Sequence, residues 1–427
     1  MSNGSSYDVA VMGGGAAGVC AAVQAARAGA RTLLVEKAAQ LGGTTTTGGV
    51  NGMQSFFAYG RQIIAGIGWE LVCRTYDVLG QPPPDGSRFG EDVGVTTTVV
   101  DRAAYSAVAD EAVREAGADL SLHTMLGAIR EDGAGWRLTL CGKEGLYDVT
   151  ARVVVDCTGD CNVARQAGLD VNRHDDRQPG TLVMKFTGYD ADHLDIPAIQ
   201  AAADRAIAAG ALRASDLGWH HGDVKPILRG YGGNCAHVVT HEAGDSRGRT
   251  DAELEGRRVL LRLVRFFRAQ PGLENFTVAW FAPEVGIRET VTIGGRATIT
   301  FDDYTSGRLW PDAVSYSFYP IDVHTEDGLD FRPLPRGVIP TMPYGAMLPQ
   351  EGRNLVVAGR CVCGDRLAFS AYRVQATCTG TGQAAGAAAA LAAARGTEVA
   401  NVPVDDIRTL LRQHAAIVPP DLSPPKP

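Results

Sequence analysis

Residues 7–12 form an apolar stretch that runs without a break into Gly13, Gly14, Gly15, Ala16, Ala17 and Gly18, and then into an alanine-rich segment reaching Gly29. This order of strand, glycines and helix constrains the fold more than any other feature of the chain. Gly13 permits a tight turn out of the strand, Gly15 lets backbone N–H groups approach a pyrophosphate, and Gly18 allows the helix to pack closely on the sheet. The helix start offers unpaired donors and a partial positive charge, so it holds an anion without a lysine. A second apolar strand, residues 32–35, ends in Glu36. Its carboxylate stands where an acid accepts two ribose hydroxyl bonds and repels a 2′-phosphate. A chain with 52 glycines produces GxGxxG spacings by chance. The strand, helix and acid around the spacing are what point to a dinucleotide.

The 427 residues allow two or three domains, and 45% hydrophobic content supplies sizeable cores. With 40 basic against 48 acidic residues the net charge is −8, and no segment is strongly basic. Neither nucleic acid nor an anionic membrane is therefore an expected partner. The first strand starts by Tyr7 and leaves no room for a signal peptide, so the cytoplasm is the expected compartment. Alanine-rich segments such as residues 384–394 are too short and too weakly apolar to cross a bilayer. The nine cysteines are odd in number and scattered, which suits reduced thiols. Cys157 with Cys161, and Cys361 with Cys363, read as small packing residues. No metal-ligand spacing occurs, and no metal is expected.

Residues 41–52 hold glycines and four consecutive threonines, a composition that excludes a regular helix and suits a loop running along a phosphate or a ring system. Residues 81–86 form a proline-rich turn. Residues 101–117 have helical spacing and end at glycine. Four strand-like segments follow, 119–123, 126–131, 136–141 and 147–155, read together as an antiparallel meander. The last runs into Val153-Val154-Val155-Asp156-Cys157-Thr158-Gly159-Asp160, where a strand breaks close to the expected nucleotide. From about 170 to 340 the texture changes, with more aromatics, histidines and charges and one amphipathic helix at 251–269. The first texture then returns as an apolar strand at 354–358, closed by Gly359, and a glycine–alanine helix at 380–394. The fold class is α/β: a discontinuous Rossmann-like domain with a meander (5–168 and 341–397), an inserted α+β substrate or cap domain (169–340), and a C-terminal extension (398–427) whose five-proline tail from Val418 is expected to be disordered.

Taken together, the strand and GxGxxG at 7–18, Glu36, Leu41-Gly42-Gly43-Thr44, residues 153–160 and Asn354-Leu355-Val356-Val357-Ala358-Gly359-Arg360 resemble an FAD-dependent oxidoreductase over nearly the whole chain. Within flavoproteins the chain is similar to the broad family distantly related to fumarate reductase and succinate dehydrogenase flavoprotein subunits. Three further strings carry the likeness: Gly286-Ile287-Arg288-Glu289, Tyr319-Pro320-Ile321-Asp322-Val323-His324, and Gly380-Thr381-Gly382-Gln383-Ala384-Ala385-Gly386. The resemblance implies bound FAD, with adenosine and pyrophosphate on Gly13, Gly15, Ala16, Ala17, Gly18, Glu36 and Lys37. It places Gly43, Thr44, Thr45 and Gly48 near the ring system, Thr158, Gly159 and Asp160 close to the nucleotide, and Gly359, Arg360, Asp365, Thr377 and Cys378 toward the ribitol and pyrimidine edge. Only one glycine fingerprint is present and no CxxC, which argues against a second nucleotide domain and against dithiol chemistry.

Related fumarate reductases clamp a substrate carboxylate with an arginine before the last glycine-rich turn, and Arg373 occupies the matching place. Its planar fork of donors suits a carboxylate. Arg288 ranks second, and His324 is the expected proton donor or acceptor. His220 and His221 are adjacent, so they make a poor acid–base pair and belong in a loop. Where family members commonly carry histidines this chain has Phe57, Arg366 and Phe369, changes that suggest a more apolar pocket with one added fixed charge. The expected activity is hydride transfer between a small organic substrate and flavin N5, as a dehydrogenase or oxidase. The electron acceptor, oxygen or another carrier, stays open, as does the oligomeric state. Two alternatives stand beside it: an FAD-binding subunit or regulatory module with a structural flavin, and a flavin monooxygenase reduced by NAD(P)H.

Overall fold

In the computed structural model the described residues are 4–421, apart from 90–95, 175, 235 and 240–242. One seven-stranded sheet organises them. Its order is Asp119–Ser121, Thr32–Val35, Ser5–Met12, Gly145–Asp156, Gly135–Gly142 and Met125–Asp132, with Leu355–Val357 also paired to Gly145–Asp156. The twelve-residue strand Gly145–Asp156 serves two partners along one edge. Its residues 145–151 pair antiparallel with 136–142, and its last three residues pair parallel with Leu355–Val357. Its other edge runs parallel to Ser5–Met12. Asp119–Ser121 does not join the meander as the sequence suggested. It pairs parallel with Thr32–Val35 at the opposite edge, because the helix Arg102–Glu115 carries the chain across a face of the sheet before it.

The parallel strands end in line. Met12 lies opposite Val35 and Asp156, and Asp156 lies opposite Val357. Glu36, Gly13, Cys157 and Ala358 therefore follow at one edge of the sheet, the position at which open α/β sheets bind ligands.

The helices Ala16–Arg27 and Gln375–Arg395 pack side by side with their backbones almost touching. A Cβ at Gly382 or Gly386 would land on the main-chain oxygen of Ala17 or Ala21. The alanine-rich composition of both segments follows from that approach, since larger side chains would hold the helices apart. The second helix begins five residues before the sequence reading, at Gln375. Gly380 lies inside it, and the hydroxyls of Thr379 and Thr381 bond back to the carbonyls of Ala376 and Thr377.

A separate apolar core collects residues between Leu182 and Ile287, while residues from Val291 onward pack with the sheet. The amphipathic helix Ser246–Arg268 contributes Ala252, Val259, Leu263 and Phe267 to it and starts at Asp245, whose carboxylate accepts from the Gly248 amide. At the C-terminus Val418 is buried in the main core and Arg412 pairs with Asp421 at 2.8 Å; residues 422–427 of the expected disordered tail lie outside the described residues. Among the described residues no helix is long and apolar enough to cross a membrane.

An alanine in place of a helical glycine ordinarily stabilises by about 0.5–1 kcal/mol. Gly382→Ala is expected to do the reverse and lower stability by about 1–3 kcal/mol, because its methyl must push the two helices apart. Urea unfolding midpoints check this, and a midpoint at or above wild type would contradict the close packing.

Candidate functional site

Four turns that leave the sheet edge build one opening. Gly13 has φ +99°, and a Cβ there would stand 2.6 Å from the Cys157 carbonyl oxygen. A Cβ at Gly18 would collide with the Gly13 carbonyl, so the helix can seat on the turn only through glycine. Opposite, a Cβ at Gly43 would lie 2.9 Å from the Cα of Gly15, which leaves bare backbone on both sides of the cradle. No side chain caps the helix Ala16–Arg27, and its first-turn amides stay available to an anion. Glu36 is fixed from two directions: its Oε2 accepts from the Gly14 amide at 2.6 Å and its Oε1 from the Ala38 amide at 2.8 Å. Each oxygen keeps a further lone pair for another donor.

The opening is lined by Gly13, Gly15, Ala16, Ala17, Glu36, Lys37, Gly43, Thr44, Gly48, Thr158, Gly159, Asp160, Gly359, Arg360 and Cys378 from the sequence-expected set, and by Arg288 and Arg373. Four expected residues do not reach it. Gly18 packs beneath the turn, and Thr45 is fully buried. Thr377 bonds the Ser317 hydroxyl at 2.9 Å, and Asp365 caps the helix Arg366–Tyr372 through the Ala368 amide while also accepting from the Phe301 amide. A long opening with a backbone floor, a free helix start and an immobilised acid fits the pyrophosphate and ribose of FAD, and Gly13, Gly18 and Gly43 keep side chains out of the floor.

Ion pairs tie the second core to this opening. Lys37 meets Glu284 at 2.8 Å, and Asp160 meets Arg249 at 2.7 Å and Arg360 at 3.4 Å. Burial would raise the Asp160 pKa, but Arg249 and Arg360 hold it below the ordinary range. The thiols of Cys157 and Cys378 are buried and pushed up, as expected of packing residues.

The four candidate reactive side chains lie in neighbouring hydrogen-bonded clusters rather than on one surface. Arg373 donates to Asp322 Oδ2 at 3.1 Å, to the Asp322 carbonyl at 3.2 Å and to Gln178 Oε1 at 3.3 Å, while its Nε has no partner. Arg288 donates to the Pro179 carbonyl at 2.7 Å and to the Thr181 hydroxyl at 2.8 Å. His324, the last residue of the strand Ile321–His324, sets its Nε2 at 3.4 Å from Asp322 Oδ1 and its Nδ1 at 3.1 Å from His237 Nε2. Arg366 pairs with Asp176 at 3.2 Å and approaches Glu289 at 3.8 Å. Arg288 and Arg373 line the dinucleotide opening, whereas His324 and Arg366 line a neighbouring pocket with Pro179, Val323 and Thr325. Asp322 joins the two halves.

Burial and the Arg288 charge push His324 down to about 4 and His237 to about 3, so both imidazoles are neutral at neutral pH. Burial raises the pKa of Asp322, but its bonds to His324 and Arg373 outweigh this and keep it a carboxylate. Burial and Arg373 lower Arg288, which still stays charged at neutral pH. Asp322, Gln178 and His237 escaped the sequence reading. Asp322 had a signal, since residues two apart on a strand share a face and His324 was already singled out. Gln178 and His237 arrive from distant segments and had none. Phe57 and Phe369 pack edge-on to Trp69 and Tyr372 and line neither opening, so the aromatics expected to make the pocket apolar belong to the core. His220 and His221 lie in turns.

Residues 8–411 match the family described as FAD dependent oxidoreductase. Among solved structures the chain is similar to a geranylgeranyl bacteriochlorophyll reductase-like protein from Thermoplasma acidophilum, with 15% identity, 96% of this chain and 82% of that one covered, and a TM-score of 0.44. It is similar to anhydrotetracycline hydroxylase from Streptomyces rimosus at 14% identity, 96% and 66% coverage and a TM-score of 0.42. A third is p-nitrophenol 4-monooxygenase from Pseudomonas putida, at 12% identity, 96% and 86% coverage and a TM-score of 0.44. No match is found among curated proteins.

Two outcomes are expected. Glu36→Ala removes a charged acceptor and releases the Gly14 and Ala38 amides, so FAD should bind about 10- to 100-fold more weakly, read by quenching of flavin fluorescence; unchanged affinity would remove Glu36 from the cradle. The unfolded chain takes up protons near the ordinary histidine pKa of 6.5, which the buried His237 and His324 refuse until about 3 and 4. Stability should therefore fall as pH drops from about 6.5 toward 4, by on the order of 3 kcal/mol for each histidine over the whole window. His237→Phe should lose less between pH 7 and 5 than wild type in urea midpoints; an equal loss would contradict the depressed pKa.

Proposed function

The chain belongs to the FAD-dependent oxidoreductase family, and we propose that it transfers a hydride between a small organic substrate and bound FAD. The observation that carries this reading is that Arg288 and Arg373 line the same opening as the glycine cradle, with Asp322 and His324 behind them. FAD, when bound, supplies a two-electron acceptor at N5. Gly13, Gly15, Lys37 and Glu36 would hold its adenosine and pyrophosphate, and Gly43, Thr44 and Gly48 would lie along the ring system. Gly359, Cys378 and the start of the helix Gln375–Arg395 would face the pyrimidine edge, where first-turn donors would favour negative charge.

The chain's own groups divide the remaining work. Arg373 keeps an Nε donor free and, with Arg288, orients a substrate carboxylate or enolate oxygen. His324 is neutral and accepts a proton from the substrate, and Arg366 adds a fixed charge to the pocket beside it. Residues 169–340 act as the cap, with the core between Leu182 and Ile287 as their packed part and the Lys37–Glu284 and Arg249–Asp160 pairs as their ties to the nucleotide unit. The protein works in the cytoplasm.

Substrates are found by screening carboxylate-bearing compounds for bleaching of the oxidised flavin absorbance. With a bleaching substrate in anaerobic stopped flow, Arg373→Ala should slow flavin reduction by about 100-fold or more while the oxidised spectrum is kept. Wild-type rates in the variant would remove Arg373 from the site. Flavin reduction by NAD(P)H, with no compound in the panel acting as reductant, would replace this reading with a monooxygenase.

A further inference from the structure

The start of the helix Ser246–Arg268 is fixed beside the segment that follows the strand Gly145–Asp156. Arg165 donates to the Gly244 carbonyl at 2.8 Å, the Asp245 carboxylate caps the Gly248 amide, and Arg249 follows in the first turn. Arg249 Nη2 donates to Asp160 Oδ2 at 2.7 Å. The Asp160 side chain is 13% exposed, accepts from the Thr290 hydroxyl at 2.9 Å and stands 3.4 Å from Arg360 Nη2, while Arg360 Nη1 donates to the Ile287 carbonyl at 2.8 Å. A guanidinium has five N–H donors, and among the described residues Asp160 is the only acceptor that takes one from Arg249. Arg249 lines the dinucleotide opening, so its other donors are available to an anion held there.

Charge decides which part of the cofactor this arrangement suits. The helix start at Ala16 bears no basic side chain and supplies roughly half an elementary charge, whereas each phosphate of a dinucleotide carries a full negative charge. Asp160 offsets one of the two guanidinium charges of Arg249 and Arg360, which leaves one positive charge at the opening; Lys37, at the same opening, is already paired with Glu284. Asp160 stays ionised because the two arginines outweigh its burial. Gly359 brings the cluster beside the helix start, since it precedes Arg360 and a Cβ on it would stand 3.1 Å from the Cβ of Ala17.

We propose that Arg249 is a cofactor-binding residue lent to the nucleotide site by the second core, where its guanidinium, together with that of Arg360, takes the diphosphate of FAD while Asp160 holds it in place. The inference rests on the FAD site of the reading above and not on its hydride step. Ala252, Val259, Leu263 and Phe267 of the same helix belong to the second core, so a diphosphate on Arg249 bridges that core and the sheet edge. Binding of FAD and docking of the helix start then favour each other to the same extent, since a coupling between two equilibria is reciprocal.

The test is binding of FAD, ADP-ribose and adenosine to the full-length protein, with FAD followed by quenching of its fluorescence and the other two by competition against it. Arg249→Ala should weaken FAD and ADP-ribose alike, by about 10- to 100-fold, and leave adenosine within about 2-fold of wild type. Arg249→Gln, which can still bond Asp160 but carries no charge, should behave likewise, and it decides if the alanine variant does not fold. In wild type, FAD and ADP-ribose should also slow amide exchange in residues 246–252, and neither should do so in Arg249→Ala. Wild-type affinities in the variants, a loss that includes adenosine, or a loss confined to FAD would each overturn the proposal, as would slowed exchange that persists without the arginine. Neither readout needs turnover, so a flavin that binds but that no compound reduces defeats the hydride reading alone.

Discussion

The common endpoint of the parallel strands is the constraint on which the rest of the molecule depends. Because Val35, Met12, Asp156 and Val357 stop side by side, the next residue of each strand enters the same space. Asp156 secures that edge from inside. It is fully buried, and its carboxylate accepts from the Thr158 amide and hydroxyl and from the amides of Val163 and Ala164. Four donors on one acid shape the turn that carries Thr158, Gly159 and Asp160 to the opening and also start the short helix Asn162–Gln166. A one-residue slip of Leu355–Val357 would withdraw Gly359 and Arg360 from the site and turn their strand's side chains to the other face.

That alignment is accompanied by close packing of two helices. The first glycine turn and the last long helix are far apart in sequence, yet Gly382 and Gly386 lie directly on the backbone of Ala17 and Ala21. Small residues on both helices are what let the two ends of the chain pack together beside one sheet. The second core, between Leu182 and Ile287, has Arg249 and Glu284 near it at one side of the opening, and Arg288 follows directly on its last residue.

The sequence showed the cradle plainly because each part of it is local. Gly13, Gly15 and Gly18 answer to backbone sterics within a few residues, and Thr32–Val35 with Glu36 is a strand and its next residue. The second helix was misplaced at its start, since Gly380 reads as a break and nothing local shows that the Ser315 side chain lies where its Cβ would stand. Asp119–Ser121 was put in the meander for a similar reason: its strand character is local, but its partner Leu33 is not. The reactive network was half legible. Arg288, Arg373 and His324 stood in family strings, whereas the bond from His237 to His324 spans 87 positions and joins segments with no shared pattern. The resemblance put Asp365 toward the ribitol and pyrimidine edge, and its bonds from the amides of Ala368 and Phe301 come from tertiary structure that no motif shows.

If the aligned strand ends present FAD as proposed, its adenosine lies on Glu36 and its isoalloxazine toward Arg288 and Arg373. A crystal structure of the FAD complex tests this most directly. The expected density has the ribose hydroxyls on Glu36, the pyrophosphate at the start of the helix Ala16–Arg27, and the ring between the Gly43–Gly48 segment and the two arginines. A ring placed at the Lys37–Glu284 pair, or adenosine beside Arg288, would contradict it.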